Sequence, residues 1–205
     1  MGFWADRVLP FLIEKACNTR EILDERARWV PRARGEVLEL GVGSGLNLPL
    51  YEPGRVARVT AIDPSSPLLA RAAARAREAA VPVVLVRARA EALPFPDDAF
   101  DTVVVTYTLC SVSEPSRALA EVRRVLRPGG ELVFIEHGLA REARVGRWQR
   151  RLTPMWQHLA GGCHLDRDVP ALLREAGFAS DELRADYTEG LRILSFTYEG
   201  RAHPA

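Results

Sequence analysis

Short apolar runs alternate with helical segments along most of this chain. The runs typical of β-strands lie at residues 36–40, 56–62, 81–87, 101–107 and 131–136. Between them, segments such as 68–80 have a composition and spacing that favour helices. Strands separated by helices usually pair in parallel, with the helices packed on the faces of the sheet. The alternation therefore predicts an α/β fold with a parallel sheet between two helical layers.

The C-terminal part of the chain departs from this pattern. Residues 182–187 and 191–198 alternate in the manner of strands and are separated by a short turn around Gly190. Two strands joined by so short a turn must be antiparallel to each other. The full prediction is a doubly wound, mostly parallel seven-stranded sheet with an antiparallel C-terminal edge hairpin.

Composition limits the class of protein. The chain has 205 residues, of which 47% are hydrophobic and 27% charged, as expected for one globular domain. A net charge of +1 provides no field that would attract nucleic acid. Cys17, Cys110 and Cys163 are too few and too scattered for a disulfide framework. Because no apolar run approaches the length of a membrane span, the expectation is a cytoplasmic protein without an integral membrane segment.

The strongest local signal is the segment Leu-Glu-Leu-Gly-Val-Gly-Ser-Gly-Leu-Asn at residues 38–47. Its glycines, Gly41, Gly43 and Gly45, allow a tight turn and a close approach of the backbone to a ligand. In open α/β sheets, ligands bind beyond the carboxyl ends of the strands. A dinucleotide fingerprint has its third glycine one residue later, where this chain has Leu46, so an NAD-dependent oxidoreductase is disfavoured.

Two acidic residues refine the ligand prediction. Glu39 precedes the glycine loop, where a carboxylate would repel a pyrophosphate but suits a cationic amino-acid tail. Asp63 ends the second strand, where a carboxylate can accept hydrogen bonds from both ribose hydroxyls. Glu39, the glycine loop and Asp63 together fit S-adenosylmethionine better than NAD.

From residue 36 to residue 136 the chain resembles the class I S-adenosylmethionine-dependent methyltransferases, which are Rossmann-like. Residues 90–96, 100–101 and 126–130 are later parts of that resemblance. A narrower resemblance, to the methyltransferase-like thiol S-methyltransferase group, rests on residues 108–112, 136–137, 148–149, 154–156 and 162–163. The resemblance implies methyl transfer to a small-molecule acceptor, a thiol among the candidates, without a metal.

The same resemblance implies a set of cofactor-binding residues. They are Glu39, Gly41, Gly43, Gly45, Asn47, Asp63, Pro64, Ser65, Arg89, Ala90, Glu91 and Thr106. Many relatives have an acid at the position of Arg89, where it accepts a hydrogen bond from the adenine amino group. This departure weakens the adenine contact, and backbone groups at Arg89 and Ala90 are the expected substitutes.

Candidate catalytic residues lie at the ends of the fourth and fifth strands. His137 is the leading candidate for a base, since its charge changes near neutral pH, but a loop histidine bonded to the backbone fits equally well. Tyr107 either contacts cofactor or substrate or belongs to the core. Cys110 either lines the pocket or serves as a small apolar packing residue.

The chain divides into four segments within one predicted domain. Residues 1–30 form an N-terminal helical cap, residues 31–136 the cofactor-binding core, residues 138–165 a substrate lid, and residues 166–205 the C-terminal helix and edge strands. Pro10 interrupts the first helix of the cap. That helix has balanced charges, which favours covering the cofactor pocket over docking on a membrane.

Within the lid, Trp148 and Trp156 are spaced to share one helix face, and Pro154 is expected to divide that helix. Both tryptophans and Cys163 are candidate substrate-binding residues, although the tryptophans could simply cover the sheet. A metal site is not expected, because His158, Cys163 and His164 lack zinc-ligand spacing.

Three other functions remain open. Residues 90–96 are shared with quinone C-methyltransferases and with phospholipid-amine N-methyltransferases. A protein that binds S-adenosylmethionine without turning it over is the third alternative, and the departure at Arg89 permits it.

Overall fold

The computed structural model describes residues 18–205. The helix predicted around Phe3 and Leu12, its interruption at Pro10, and Cys17 lie outside the described residues. The prediction that this first helix covers the cofactor pocket therefore stays a prediction.

Seven strands form one sheet. They are β1 (Gly35–Leu40), β2 (Val56–Ile62), β3 (Val83–Val86), β4 (Phe100–Thr106), β5 (Leu126–His137), β6 (Phe178–Tyr187) and β7 (Phe196–Pro204). Their order across the sheet is β3-β2-β1-β4-β5-β7-β6. Strand β7 runs antiparallel to both of its neighbours, whereas the pairs from β3 to β5 are parallel. The mostly parallel doubly wound sheet with an antiparallel terminal hairpin is thereby confirmed.

Five α-helices accompany the strands in the described part of the chain. They are α1 (Arg20–Trp29), α2 (Ser66–Glu78), α3 (Pro115–Val125), α4 (Ala143–Leu159) and α5 (Val169–Glu175). Helix α2 is capped at its N-terminus, since the Ser65 side chain accepts a hydrogen bond from the Leu68 N–H at 3.4 Å. None of the helices within residues 18–205 is both long enough and apolar enough to cross a bilayer.

Apolar side chains fill both faces of the sheet. Val103 and Val105 of β4 pack into one core cluster, whereas Val104 belongs to the cluster on the opposite face. All three are fully buried, so β4 is covered on both faces. Because each face is sealed by helices, the open positions for a ligand are the ends of the strands.

Two local predictions need correction. Helix α4 runs without a break through Pro154. Proline cannot donate to the carbonyl of Arg150, but both residues are exposed, so water can bond that carbonyl and the helix continues. The last strand was predicted from Leu191 and begins instead at Phe196. The Leu194 N–H bonds to the Leu191 carbonyl at 2.7 Å, which makes this segment a turn.

Candidate active site

A cavity of about 400 Å³ opens at the carboxyl ends of β1, β2, β3 and β4. Most of its wall consists of the loops that follow these strands, and α1, α2 and the loop after α4 add one residue each. Nine of the predicted cofactor-binding residues line it: Gly41, Gly43, Asp63, Pro64, Ser65, Arg89, Ala90, Glu91 and Thr106. The remaining three, Glu39, Gly45 and Asn47, lie behind this wall.

The glycine loop has the shape that its sequence predicts. Gly41 has φ +66° and Gly43 has φ +56°, a region that other residues adopt rarely. A Cβ atom on Gly41 would lie 2.1 Å from Oγ1 of Thr108, whose hydroxyl donates to the Leu40 carbonyl at 3.1 Å. Gly45 is required for packing behind the loop. A Cβ atom placed on it would lie 2.9 Å from Cδ1 of Leu48 and would not project into the cavity.

Asp63 is held in a fixed orientation at the cavity wall. Its Oδ2 accepts from the Gly43 N–H at 3.0 Å, and its Oδ1 accepts from the Ser65 N–H at 2.8 Å. Burial raises the pKa of Asp63, while the two backbone hydrogen bonds act in the opposite direction. Each oxygen retains a lone pair, so this carboxylate can accept two further hydrogen bonds from a neighbouring diol.

Glu39 acts from behind the loop. It is 1% exposed, and its carboxylate accepts from Nδ2 of Asn47 at 3.0 Å and from the Tyr51 hydroxyl at 2.8 Å. Burial raises the pKa of Glu39 to about 7. Asn47 in turn accepts from Nη1 of Arg26 at 2.6 Å. Glu39 therefore reaches the cavity only through Asn47 and Arg26.

Arg26 is a site residue that the sequence analysis missed. It lies in α1, lines the cavity and is 5% exposed. Its Nη1 also donates to Oγ1 of Thr106 at 2.7 Å, and its Nε is buried without a hydrogen-bond partner among the described residues. A buried cation with an unused donor suits a carboxylate. The sequence signal that could have identified Arg26 is helical spacing, because Ile22, Arg26 and Trp29 share one face of α1.

Tyr107 lines the cavity directly after β4. Its φ is +53°, which is uncommon for a bulky residue and tends to occur at functional sites. Its hydroxyl donates to Glu25, and the guanidinium of Arg26 lies 5.4 Å from the centre of its ring. The backbone turn therefore aims the ring at α1 and makes α1 part of the cavity wall.

Arg89 and Glu91 form the rim on the side of the third strand. Nη2 of Arg89 lies 3.2 Å from Oε1 of Glu91, which also accepts from the Ser113 N–H at 3.1 Å. Burial acts to raise the pKa of Glu91, but backbone hydrogen bonds and Arg89 outweigh it and lower the pKa. The arginine that departs from the family pattern is thus ion-paired with the acid two residues later.

Glu136 organises the loop that follows β4. Its buried carboxylate accepts three backbone N–H bonds, from Thr108 at 2.7 Å, Leu109 at 2.9 Å and Cys110 at 3.1 Å. Burial raises the pKa of Glu136 to about 7, although the three hydrogen bonds oppose this. The sequence indicated only that Glu136 ends a strand, because the three donors become its neighbours through the β4–β5 pairing.

Four other predicted site residues lie away from the cavity wall. His137 is 7% exposed, and its Nδ1 lies 3.9 Å from Sγ of Cys163, which also interacts with Cys110 and Trp156. These four residues form one group directly behind the wall. Their catalytic and substrate-binding roles stay predictions.

Trp148 lies on the outer face of α4. It is 48% exposed, and the guanidinium of Arg151 is 5.7 Å from its ring. The structure therefore separates Trp148 from Trp156 and the cavity. Within the described chain, no group of three or more His, Cys, Asp or Glu side chains could hold a metal ion.

Comparison with known proteins identifies the family to which these features correspond. Residues 38–134 match the family described as methyltransferase domain. The chain is 37% identical over 151 residues to thiol S-methyltransferase TMT1B of Rattus norvegicus, a match that covers 72% of this chain. It is 36% identical over 177 residues to thiol S-methyltransferase TMT1A of Homo sapiens, covering 83% of this chain and 71% of that protein. The match spans 61% of the length of the rat protein.

The fold is also shared with solved structures. A SAM-dependent methyltransferase from Thermotoga maritima superposes with a TM-score of 0.66 at 22% sequence identity. The superposition covers 98% of this chain and 99% of that protein. At this identity the likeness concerns the fold, and it extends over nearly the whole of both chains.

Proposed function

The chain belongs to the class I S-adenosylmethionine-dependent methyltransferases, and from this premise we propose that it methylates the sulfur of a small thiol. One observation carries the choice of acceptor. Tyr107 is the only aromatic residue among the described residues that line the cavity, and the guanidinium of Arg26 already lies over its ring. An amine acceptor acquires positive charge as it is methylated, and this ring is not free to stabilise that charge.

The residues present fit S-adenosylmethionine. Asp63 has lone pairs for the ribose hydroxyls, and Arg26 has a buried, unpartnered Nε for the carboxylate of the methionine tail. Gly41 and Gly43 leave the space for close backbone approach. When bound, the cofactor supplies an electrophilic methyl group. What the chain itself contributes is binding, orientation and exclusion of water.

The acceptor end of the cavity suits a thiol. Tyr107, Thr108, Ser111, Val112 and Gly161 line it with hydroxyl and apolar groups. Two acids line the cavity: Asp63 is engaged at another wall, and Glu91, which accepts from the Ser113 N–H, is ion-paired with Arg89. A thiol with a pKa of about 8.5 is a few per cent ionised at neutral pH, so it needs only modest activation. An amine or a ring carbon would need a base that this part of the wall does not provide.

The test is release of S-adenosylhomocysteine by the purified full chain with matched panels of small thiols, amines and quinols. We expect turnover with thiols only. Asp63→Asn should weaken S-adenosylhomocysteine binding about tenfold or more, because a charge-assisted hydrogen bond contributes about 1.5–3 kcal/mol. Asp97→Asn changes an exposed carboxylate paired with Arg124 and is the matched control.

The outcomes separate the two parts of the proposal. Turnover confined to amines or quinols would refute the thiol acceptor and leave the cofactor site intact. Equal S-adenosylhomocysteine affinity in wild type and Asp63→Asn would refute the assignment of the ribose site. Tight cofactor binding without turnover on any panel would favour a binding protein over an enzyme.

A further inference from the structure

Two cysteines that are far apart in sequence meet behind the cavity wall. Cys110 belongs to the loop after β4, and Cys163 belongs to the loop after α4. Their side chains interact, and the His164 N–H donates to the Cys110 carbonyl at 2.8 Å, which holds the two loops together. Both thiols are free. Cys110 is buried, whereas Cys163 is partly exposed.

The surroundings shift the pKa values of the two thiols in opposite directions. A hydrogen bond from the Cys110 thiol, together with the nearby His137, lowers the pKa of Cys163, although burial acts in the opposite direction. The same interaction, together with burial, raises the pKa of Cys110 well above its ordinary value. Of the two thiols, Cys163 is therefore the one that ionises more readily.

The other charged groups around the pair are already engaged. The Glu136 carboxylate accepts three backbone N–H bonds. Arg167 donates to the Leu109 carbonyl and, at 2.6 Å, to the Val112 carbonyl. Asp166 lies 3.7 Å from His164. The imidazole of His137, whose Nδ1 is 3.9 Å from the Cys163 sulfur, is thus the group best placed to stabilise a thiolate there.

We propose that Cys163 is a reactive cysteine toward hydroperoxides and that Cys110 is its resolving partner, so that oxidation closes a Cys110–Cys163 disulfide. A partly exposed thiolate beside a second thiol is the arrangement found at redox-sensing cysteines. The proposal concerns a modification site outside the cavity and does not depend on which acceptor is methylated.

The proposed oxidation of the two cysteines by a hydroperoxide takes place in two steps. The Cys163 thiolate attacks one oxygen of the hydroperoxide, the O–O bond breaks, and Cys163 becomes a sulfenic acid while hydroxide or alkoxide leaves and takes up a proton. Cys110 then attacks that sulfur, an S–S bond forms, and the S–O bond breaks to release water that carries the Cys110 proton. Two thiols are oxidised by two electrons, and one hydroperoxide is reduced.

The disulfide would act on the cavity wall. Ser111 and Val112 directly follow Cys110, Gly161 lies two residues before Cys163, and all three line the cavity. A bond between the two cysteines would fix these segments to each other. We therefore expect methyl transfer to fall several-fold after oxidation and to recover when a dithiol reduces the bond.

The experiment treats the full chain with one equivalent of hydrogen peroxide at pH 7 and follows intact mass and non-reducing peptide maps. Wild type and a Cys17→Ser variant should both lose about 2 Da, the mass of two hydrogens, and show a Cys110–Cys163 cross-link. In Cys110→Ser, and in Cys110→Ala as a second variant, a sulfenic acid should accumulate at Cys163 and be trapped by a 1,3-diketone. Cys163→Ser should leave Cys110 unoxidised at the same dose.

Other outcomes would overturn the proposal. They are oxidation of wild type no faster than that of Cys163→Ser, a cross-link between two chains, or a cross-link through Cys17. His137→Gln should move the midpoint of Cys163 alkylation to higher pH, and an unchanged midpoint would contradict the role given to the imidazole. Because mass and alkylation are the readouts, these results stand even if the chain methylates no thiol.

Discussion

Arg26 connects the cavity to a helix that lies outside the α/β alternation. Its Nη1 bonds to Asn47 and Thr106, its guanidinium lies over the Tyr107 ring, and its Nε remains buried without a partner among the described residues. Leaving a charged donor buried and unsatisfied costs free energy, so a structure that does so indicates a partner that binds there. The carboxylate of the cofactor's methionine tail is the partner that fits.

Replacing Arg26 should therefore weaken recognition of the methionine tail. We expect Arg26→Gln to lower S-adenosylhomocysteine affinity about tenfold to a hundredfold, the cost of losing a charge-assisted hydrogen bond. The affinity for adenosine, which lacks the tail, should change less than about threefold in the same calorimetric measurement.

Arg28→Gln provides the matched control for that prediction. Arg28 lies on the same helix but pairs with Glu199 instead of lining the cavity. Equal losses of affinity for S-adenosylhomocysteine and adenosine in Arg26→Gln would show that the arginine only supports the fold.

Gly41 allows a second test at the residue scale. Gly41→Ala combines a strained φ of +66° with a Cβ placed 2.1 Å from Thr108 Oγ1, whereas Gly54→Ala has φ +89° and open space. Gly54→Ala should cost about 1 kcal/mol of unfolding free energy, the penalty for the left-handed backbone alone. Gly41→Ala should cost about 2 kcal/mol more, since Thr108 must move. Denaturant unfolding of the two variants measures the difference. Equal losses of unfolding free energy would mean that Thr108 can move aside without a cost in free energy.

At the scale of elements, α4 is attached to the sheet by one buried side chain. Nε2 of Gln149 donates to the carbonyls of Gly138 and Ile193, both at 3.1 Å, and its Oε1 accepts from the Ala140 N–H at 2.8 Å. These contacts join the helix to the end of β5 and to the turn of the β6–β7 hairpin. A helix with an exposed proline in its middle keeps its position because of such contacts, in addition to its apolar face.

Gln149→Leu should weaken the attachment of α4 to the sheet. The change preserves volume approximately but leaves two carbonyls and one N–H unpaired, so we expect a loss of about 3 kcal/mol in unfolding free energy. Gln157→Leu, on the last part of the same helix and only partly buried, should change the unfolding free energy by less than about 1 kcal/mol. Chemical denaturation of both variants tests this, and similar values for the two would disprove an anchoring role.

For the whole molecule, two buried carboxylates contribute to the dependence of stability on pH, and the lowered pKa of Cys163 acts in the opposite direction. Burial raises the pKa of Glu39 and of Glu136 to about 7 in the folded chain. A folded state that holds protons more tightly than the unfolded chain is favoured at low pH. The stability from these groups is fully present below a pH of about 4.5, the ordinary glutamate value, and is lost as pH rises through about 7.

Urea unfolding at a series of pH values tests this prediction. Between pH 5 and pH 8 the unfolding free energy of wild type should fall by on the order of 2 kcal/mol relative to that of Glu39→Gln, because the comparison cancels every titrating group that the two proteins share. Glu52→Gln, at an exposed position, is the control and should retain the wild-type slope. A difference in unfolding free energy between wild type and Glu39→Gln that does not change over this interval would contradict the raised pKa of Glu39.

Much of this molecule follows from short-range patterns in the sequence. The alternation of strands and helices, the capped start of α2 and the positive φ at Gly41 and Gly43 each depend on residues within a few positions of one another. Local sterics and hydrophobic periodicity are sufficient to determine them. The same holds for the nearness of Asp63 to the glycine loop, because neighbouring parallel strands end at the same edge of the sheet.

Other features were decided only by the tertiary structure. Arg26 reaches the cavity because α1 packs beside Tyr107, and Glu136 binds the loop after β4 because β5 pairs with β4. The meeting of Cys110 with Cys163, and the outward position of Trp148, likewise depend on how α4 docks. The sequence by itself determined the fold and the glycine–aspartate half of the site, since both are encoded locally. The remaining part of the site, which contains Arg26, Glu136 and the two cysteines, depends on long-range packing. Its residues become neighbours only when the sheet and its helices assemble.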